Sequence, residues 1–283
     1  MAHCAKQEEN MSHAAEIDWS RLKAHELRAL AAQNAVVILP IASIEQHGPH
    51  LPVMTDTRLG FEVNIRAARR AYATRPVVVA PVVWSGLSEH HMPYGGTLTL
   101  SHATFRAVLR DLIDSLVRHG FRDILISNSH GGNQVAMQQI CDELSPQVEA
   151  TLVATTYVTE AGESLSQHLQ DQQGVMHAGE AETSMMMVCE PDLVDTSALA
   201  EITDGMDGGR FLKAGKASYR WRPFTHVTAN GMAGNPARAT AEKGEAMLEA
   251  AADALAALIL DPQTWAPPED RRGEDTMGVP FHR

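Results

Sequence analysis

Four short runs of aliphatic and β-branched residues punctuate the chain: AVVILPIAS (35–43), PVVVAPVV (76–83), DILISN (123–128) and ATLVATTYV (150–158). They show little polar alternation, so each reads as a strand buried on both faces. Between them the apolar positions recur at helical spacing. The spacing predicts helices over 57–73, 101–120, 133–144 and 236–260, with Ser101 as a cap and Gly120 as a stop. An earlier helix opens near Asp18 or Ser20 and carries Leu22, Leu27 and Leu30 on its apolar side. Strands alternating with helices predict an α/β domain, its mainly parallel sheet covered on both faces. We place a flexible extension over 1–17, one domain over 18–262 and an irregular, proline- and charge-rich tail over 263–283.

The polar residues fall where such a sheet puts its chemistry, beyond the carboxyl ends of the strands. Glu45, His47 and Asp56 follow the first run, SEHHMPYGGT (88–97) the second, and SNSHGGN (127–133) the third. Glu45 and His47 are two apart and share a side in an extended segment. Pro49 and Pro52 stiffen the turn that would return Asp56 toward them. Carboxylates with imidazoles suit zinc, manganese or iron. The competing reading is a solvated loop. His130 ends a strand, and Gly131 and Gly132 permit a tight turn whose free N–H groups suit an anion or oxyanion. A plain turn capped by Asn133 explains the glycines but not the histidine.

In HAGEAETSMMM (177–187), Glu180 reads as a helix-start charge. Glu182 precedes an apolar stretch, and a buried carboxylate needs a cation or hydrogen bonds. His177 is a candidate proton carrier, with a capping or surface histidine as the alternative. Met185 to Met187 read as core or interface filler. Glu89 and His90 line a pocket or merely form the turn before Gly95.

Charge and composition narrow the field. The formal net charge of −12 argues against a nucleic-acid partner. Three scattered cysteines imply no disulfide framework and fit a reducing cytoplasm. No apolar run approaches the ~20 residues of a membrane span, and the N-terminus has no apolar leader core.

Together, LPIASIEQHGPHLPVMTD, SEHHMPYGGTLTLS, SNSHGGN, HAGEAETS and EPDLVD resemble the creatininase (creatinine amidohydrolase) family over about residues 20 to 260. The resemblance implies a three-layer α/β/α sandwich and two divalent ions, Zn2+ and/or Mn2+, with Fe2+ as a further candidate. It maps the metal ligands to Glu45, His47, Asp56 and His130, with Asp56 bridging, and the proton-handling histidine to His177. It also implies a homo-oligomer, a hexamer in many members. True creatininases carry a ligand glutamate where this chain has Gly132; the HGGN branch supplies it from the ETS motif, so the last ligand is assigned to Glu182. The tryptophan segment that closes over creatinine is also missing, and Tyr157 stands in that region.

The expected activity is hydrolysis of a C–N bond in a small cyclic amide or formamide by a hydroxide bridging the ions. Catalysis is assigned to His177 and Glu182, and substrate contacts to Glu89, His90, Gly131, Gly132 and Tyr157. Alternatives are C–C hydrolysis in a keto-cyclitol or sugar-derived ring, trimming of a small modified peptide, and a non-enzymatic metal-binding sensor or assembly module.

Overall fold

A computed structural model of the chain describes residues 15–170, 172, 174–197, 199, 201–202, 219–273 and 278. The four apolar runs become strands β1 (Val36–Ile41), β2 (Val77–Val79), β3 (Asp123–Asn128) and β4 (Thr151–Thr156). They form one parallel sheet in the order β2-β1-β3-β4. The chain therefore steps outward in opposite directions from β1, which leaves a crevice beyond the carboxyl ends of β1 and β3.

Nine helices are present among the described residues: α1 (Ala24–Ala32), α2 (Thr55–Tyr72), α3 (His102–Arg118), α4 (Gln134–Leu144), α5 (Tyr157–Glu160), α6 (Gly162–Ser166), α7 (Glu180–Cys189), α8 (Ala241–Leu260) and α9 (Pro262–Trp265). Strand β1 explains the layering. Val37, Leu39 and Ile41 pack with Leu30 of α1, Phe105, Leu109 and Ile113 of α3, and Met137 and Ile140 of α4. Val36 and Ile38 face the other way, with Ile65 and Ala68 of α2 and Ile259 of α8. A period of two thus buries both faces of the sheet, giving three layers. A further apolar cluster joins α2, α7 and α8 and includes Met185 and Met186.

Several boundaries differ from the sequence expectations for local reasons. The run at 76–83 is a strand only over Val77–Val79; Pro81 has no N–H to give a ladder, and the chain rejoins β1 at the Val83–Ile41 bridge. The first helix splits. Asp18 accepts from Ser20 N–H at 2.9 Å and caps a 3-10 turn, Trp19–Arg21. Helix α1 then starts with Lys23 N–H donating to the Glu26 carboxylate at 2.7 Å. Helix α8 begins later than expected because Thr240 accepts from Lys243 N–H, while Pro236–Arg238 form a separate turn. The N-terminal extension is not loose to its end: Ile17 is buried, and its carbonyl accepts from Val79 N–H. The tail likewise starts after α9, where Trp265 donates its indole N–H to the Ile259 carbonyl and lies 4.9 Å from the Arg75 guanidinium.

Candidate metal centre

The loop after β1 closes on itself. Glu45 N–H donates to the Val53 carbonyl at 3.0 Å, and His47 bridges Leu51. Asp56 thereby returns to Glu45 and His47 from the first turn of α2. His130 arrives from the end of β3, and Glu182 from the first turn of α7. All five are buried.

Their contacts divide around Asp56. His130 Nδ1 lies 3.1 Å from Glu45 Oε2 and 3.2 Å from Asp56 Oδ2. His47 Nε2 lies 3.3 Å from Asp56 Oδ1 and 3.6 Å from Glu182 Oε2. The far side of each ring is held by backbone. His47 Nδ1 donates to the Glu45 carbonyl at 3.1 Å, and His130 Nε2 to the Leu87 carbonyl at 3.1 Å. Both rings therefore aim the remaining nitrogen at the carboxylates. Glu45 Oε2 also accepts from Ser88 Oγ at 2.6 Å, and Glu182 Oε2 accepts from Ala178 N–H at 2.6 Å.

Three buried carboxylates thus converge with no lysine or arginine among the ion-pair partners recorded for the described residues. Their charge governs the proton affinities of the groups around them. Burial opposes protonation of His47, but the carboxylates of Asp56, Glu182 and Glu45 together outweigh it and raise His47 to about 10. His130 is likewise raised against burial, chiefly by Glu45. Burial raises Glu182 to about 7, although His47 pulls the other way. Glu45 stays well below the ordinary carboxylate value despite burial, because of His130 and His91.

The donors fit a cation. His47 Nε2 and Asp56 Oδ2 are buried without a hydrogen bond. Ligand atoms around a tetrahedral ion with bonds of ~2.1 Å stand about 3.4 Å apart, and the four contacts around Asp56 span 3.1 to 3.6 Å. The mixed oxygen and nitrogen donors suit zinc or manganese. Glu45–Asp56–His130 and His47–His177–Glu182 each converge tightly enough to hold an ion, and Glu45–His91–His177 form a third convergent group.

His177 stands at the rim. Its ring is 4.2 Å from that of His47, its Nε2 donates to the Gln46 carbonyl at 2.8 Å, and its Nδ1 lies 3.5 Å from Glu45 Oε1. Burial, and next the neighbouring His47, lower it to about 3. His90 stacks over His130 with centroids 5.8 Å apart, while Glu89 is exposed. Gly131 and Gly132 lie exposed in a 3-10 turn at the mouth. A Cβ at Gly132 would overlap His130 Nε2 and the Leu87 carbonyl, so position 132 has no room for a side chain on this backbone.

Other expected residues differ in setting. Tyr157 is buried among Leu59, Leu165 and Met186, and burial, with the Glu182 and Asp56 carboxylates next, pushes its hydroxyl pKa up. Glu180 is no mere helix-start charge: it is buried, and it pairs with Lys243 Nζ at 2.5 Å. Asn133 makes no side-chain cap; its amide accepts from Leu87 N–H and donates to the Ala42 and Asn128 oxygens, tying the 86–88 loop to β1. Sequence reasoning missed Gln46, Ser88, His91 and Phe224. Ser88 touches Glu45, and Phe224 lies 4.6 Å from the His91 ring and 5.3 Å from the His177 ring. Gln46 had one signal, its place between two donor residues in the EQH motif.

The family model described as creatinine amidohydrolase matches residues 20–259. The chain belongs to the creatininase family. Within that family it is similar to the mycofactocin precursor peptide peptidase of Mycolicibacterium smegmatis, at 30% identity over 87% of this chain and 91% of the relative. It is also similar to the creatinine amidohydrolase of Pseudomonas putida, at 27% identity over 66% of this chain and 75% of that one. Two solved creatininases share the fold. One described as the Mn form has a TM-score of 0.72 at 25% identity, and a mutant of Zn-Zn type has 0.71 at 26%; each comparison covers 89% of this chain and 100% of the other. With its cluster of metal-type donors, this creatininase-family chain is a metal-dependent amidohydrolase.

Proposed function

We propose that this family member hydrolyses an amide bond of a small molecule at a centre for two divalent ions. Glu45, Asp56 and His130 would hold one, and His47, Asp56 and Glu182 the other. The observation that carries this reading is Asp56, whose Oδ1 faces His47 while its Oδ2 faces His130. Zn2+ and Mn2+ are the favoured ions, given the donors and the metals named for the similar creatininases. When bound, such ions polarise a carbonyl and lower the pKa of water toward neutrality.

The chain's own residues supply the remaining steps. Water adds to the amide carbon, the C–N bond breaks, and the departing nitrogen takes a proton. His177 is the carrier, because the Gln46 carbonyl fixes its Nε2–H and leaves Nδ1 open toward Glu45. Glu182, tied by the Ala178 N–H, serves as a ligand and electrostatic anchor. His90, Gly131 and Gly132 border the entry and would meet the substrate.

The leading substrate class is a small cyclic amide or formamide. A second reading, trimming of a small modified peptide, is favoured by the peptidase relative and by the exposed mouth at Gly131. Assembly as a homo-oligomer, a hexamer by family resemblance, and a cytoplasmic setting belong to the same proposal. Mass measurement in solution tests the first.

The decisive experiment combines metal analysis with a substrate screen. Zn2+- or Mn2+-loaded protein should cleave cyclic amides, formamides or modified peptides, and Asp56→Ala should lose both ions and activity. Full metal content and hydrolysis in Asp56→Ala would sink the two-ion reading. Cleavage of keto-cyclitols alone would replace the amide.

A further inference from the structure

The third convergent group, Glu45–His91–His177, looks at first like another metal site. The Gln46 side chain decides otherwise. Its Oε1 accepts from Gly48 N–H at 3.0 Å, and its Nε2 donates to the Gly231 carbonyl at 2.7 Å. These backbone partners have fixed roles, so they settle which end of the amide is nitrogen. The same Nε2 lies 2.6 Å from His91 Nδ1. An amide nitrogen only donates, so His91 Nδ1 must be the acceptor. The His91 proton is then on Nε2, which lies 3.3 Å from Glu45 Oε1. A protonated nitrogen cannot ligate a cation.

Gln46 acts on the neighbouring ring as well. Its backbone carbonyl accepts from His177 Nε2 at 2.8 Å, so the His177 lone pair is on Nδ1, 3.5 Å from the same Glu45 Oε1; Gln46 Nε2 also stands 3.1 Å from His177 Nε2, but its two protons are already given to Gly231 and His91. One residue thereby sets both rings as Nε2–H tautomers, and they meet Glu45 Oε1 differently: His91 brings its N–H and His177 its lone pair. Oxygen Oε1 of Glu45 is engaged by His91, which leaves Oε2 as the atom turned to His130. The seat for the amide is tight: Gly231 has a φ of +81°, and a Cβ there would overlap Gln46 Oε1.

We propose that Gln46 is a positioning residue that fixes His91 as an Nε2–H donor to Glu45, orienting that carboxylate for one-oxygen ligation and leaving His177 Nδ1 as the open proton acceptor. The proposal rests on the two-ion reading for its purpose, but the two fail separately. Asp56→Ala probes the ions, whereas the His91 proton is read without them.

Nitrogen-15 NMR of the histidine rings in the full chain, before and after Zn2+ loading, tests it. His91 should carry a proton on Nε2 and none on Nδ1 in both states. Loss of that proton on zinc loading would make His91 a ligand and overturn the proposal. Gln46→Glu exchanges the amide donor for an acceptor, so His91 should gain a proton on Nδ1. An unchanged ring pattern in that folded variant also overturns it. Should Gln46→Glu not fold, two substitutions at His91 carry the comparison. His91→Gln retains an N–H donor and should keep zinc affinity near that of the wild type, whereas His91→Leu should lose ~10–100-fold. Equal losses in the two would reduce His91 to packing and refute the role given to Gln46.

Discussion

Two regions meet on α7, two residues apart. At Glu180 the chain buries a carboxylate and gives it a lysine, Lys243 of α8, together with the Gln170 N–H. At Glu182 it buries another carboxylate and gives it an imidazole, with two further carboxylates gathered beyond. The first arrangement pairs one carboxylate with one ammonium. The second sets three carboxylates against protons on only two imidazoles, His47 and His130, or against cations in their place. Burial alone therefore does not separate a strut from a reactive centre; the permanence of the counter-charge does. The amino end of the sheet repeats the lesson, since Asp123 there pairs with the Arg75 guanidinium.

The contrast can be broken by exchanging charges. Glu182→Gln should give the largest effect. Zinc affinity, measured by competition with a chelator, should fall by more than the ~10–100-fold typical of losing an outer partner. Its metal-free stability should hold or rise, because a charge leaves a crowded acidic cluster. A variant that binds zinc normally but melts early would reverse the assignments of the two glutamates. Lys243→Ala should do the opposite. It strands the Glu180 charge and should cost about 3–5 kcal/mol in urea denaturation, with zinc stoichiometry intact. Loss of zinc at unchanged stability would show that the two regions are not separable.

A smaller effect sharpens the comparison through pH. In the metal-free chain His47 is raised to about 10 and Glu182 to about 7. A ligand must shed its proton, so zinc loading at neutral pH should release protons, and affinity should increase as pH increases. Each released proton is worth about a tenfold change per pH unit. Below about 7, Glu182 also holds a proton, so affinity should fall more steeply with acid there. Calorimetry in buffers of different ionisation heat counts the protons. No release would show that the centre is already deprotonated.

Much of this was legible from the chain because the strands are short and strongly apolar. Once β1 and β3 are placed, Glu45, His47 and His130 must stand at their carboxyl ends, and the proline-stiffened loop returns Asp56. The unread parts depend on contacts with no local period. In the 3-10 turn Glu89–Tyr94, His91 faces inward and Glu89 outward, and neither strand nor helix spacing forecasts that. Gln46 works through Gly231, 185 positions away. Glu180 looks like a helix-start charge until Lys243, 63 positions on, is seen beside it. Tyr157 occupies the expected place in the chain, but the turn from β4 into α5 directs it into the core.

The crowding at residue 132 has a consequence for how this branch can change. A carboxylate there would have to displace the Leu87 carbonyl that orients His130, so regaining it would disturb the imidazole before it could help the ions. Deleting Glu182 first would leave His47 with a poorer ion. Under the proposed ligand set, either substitution made alone should weaken metal binding before the other could restore it.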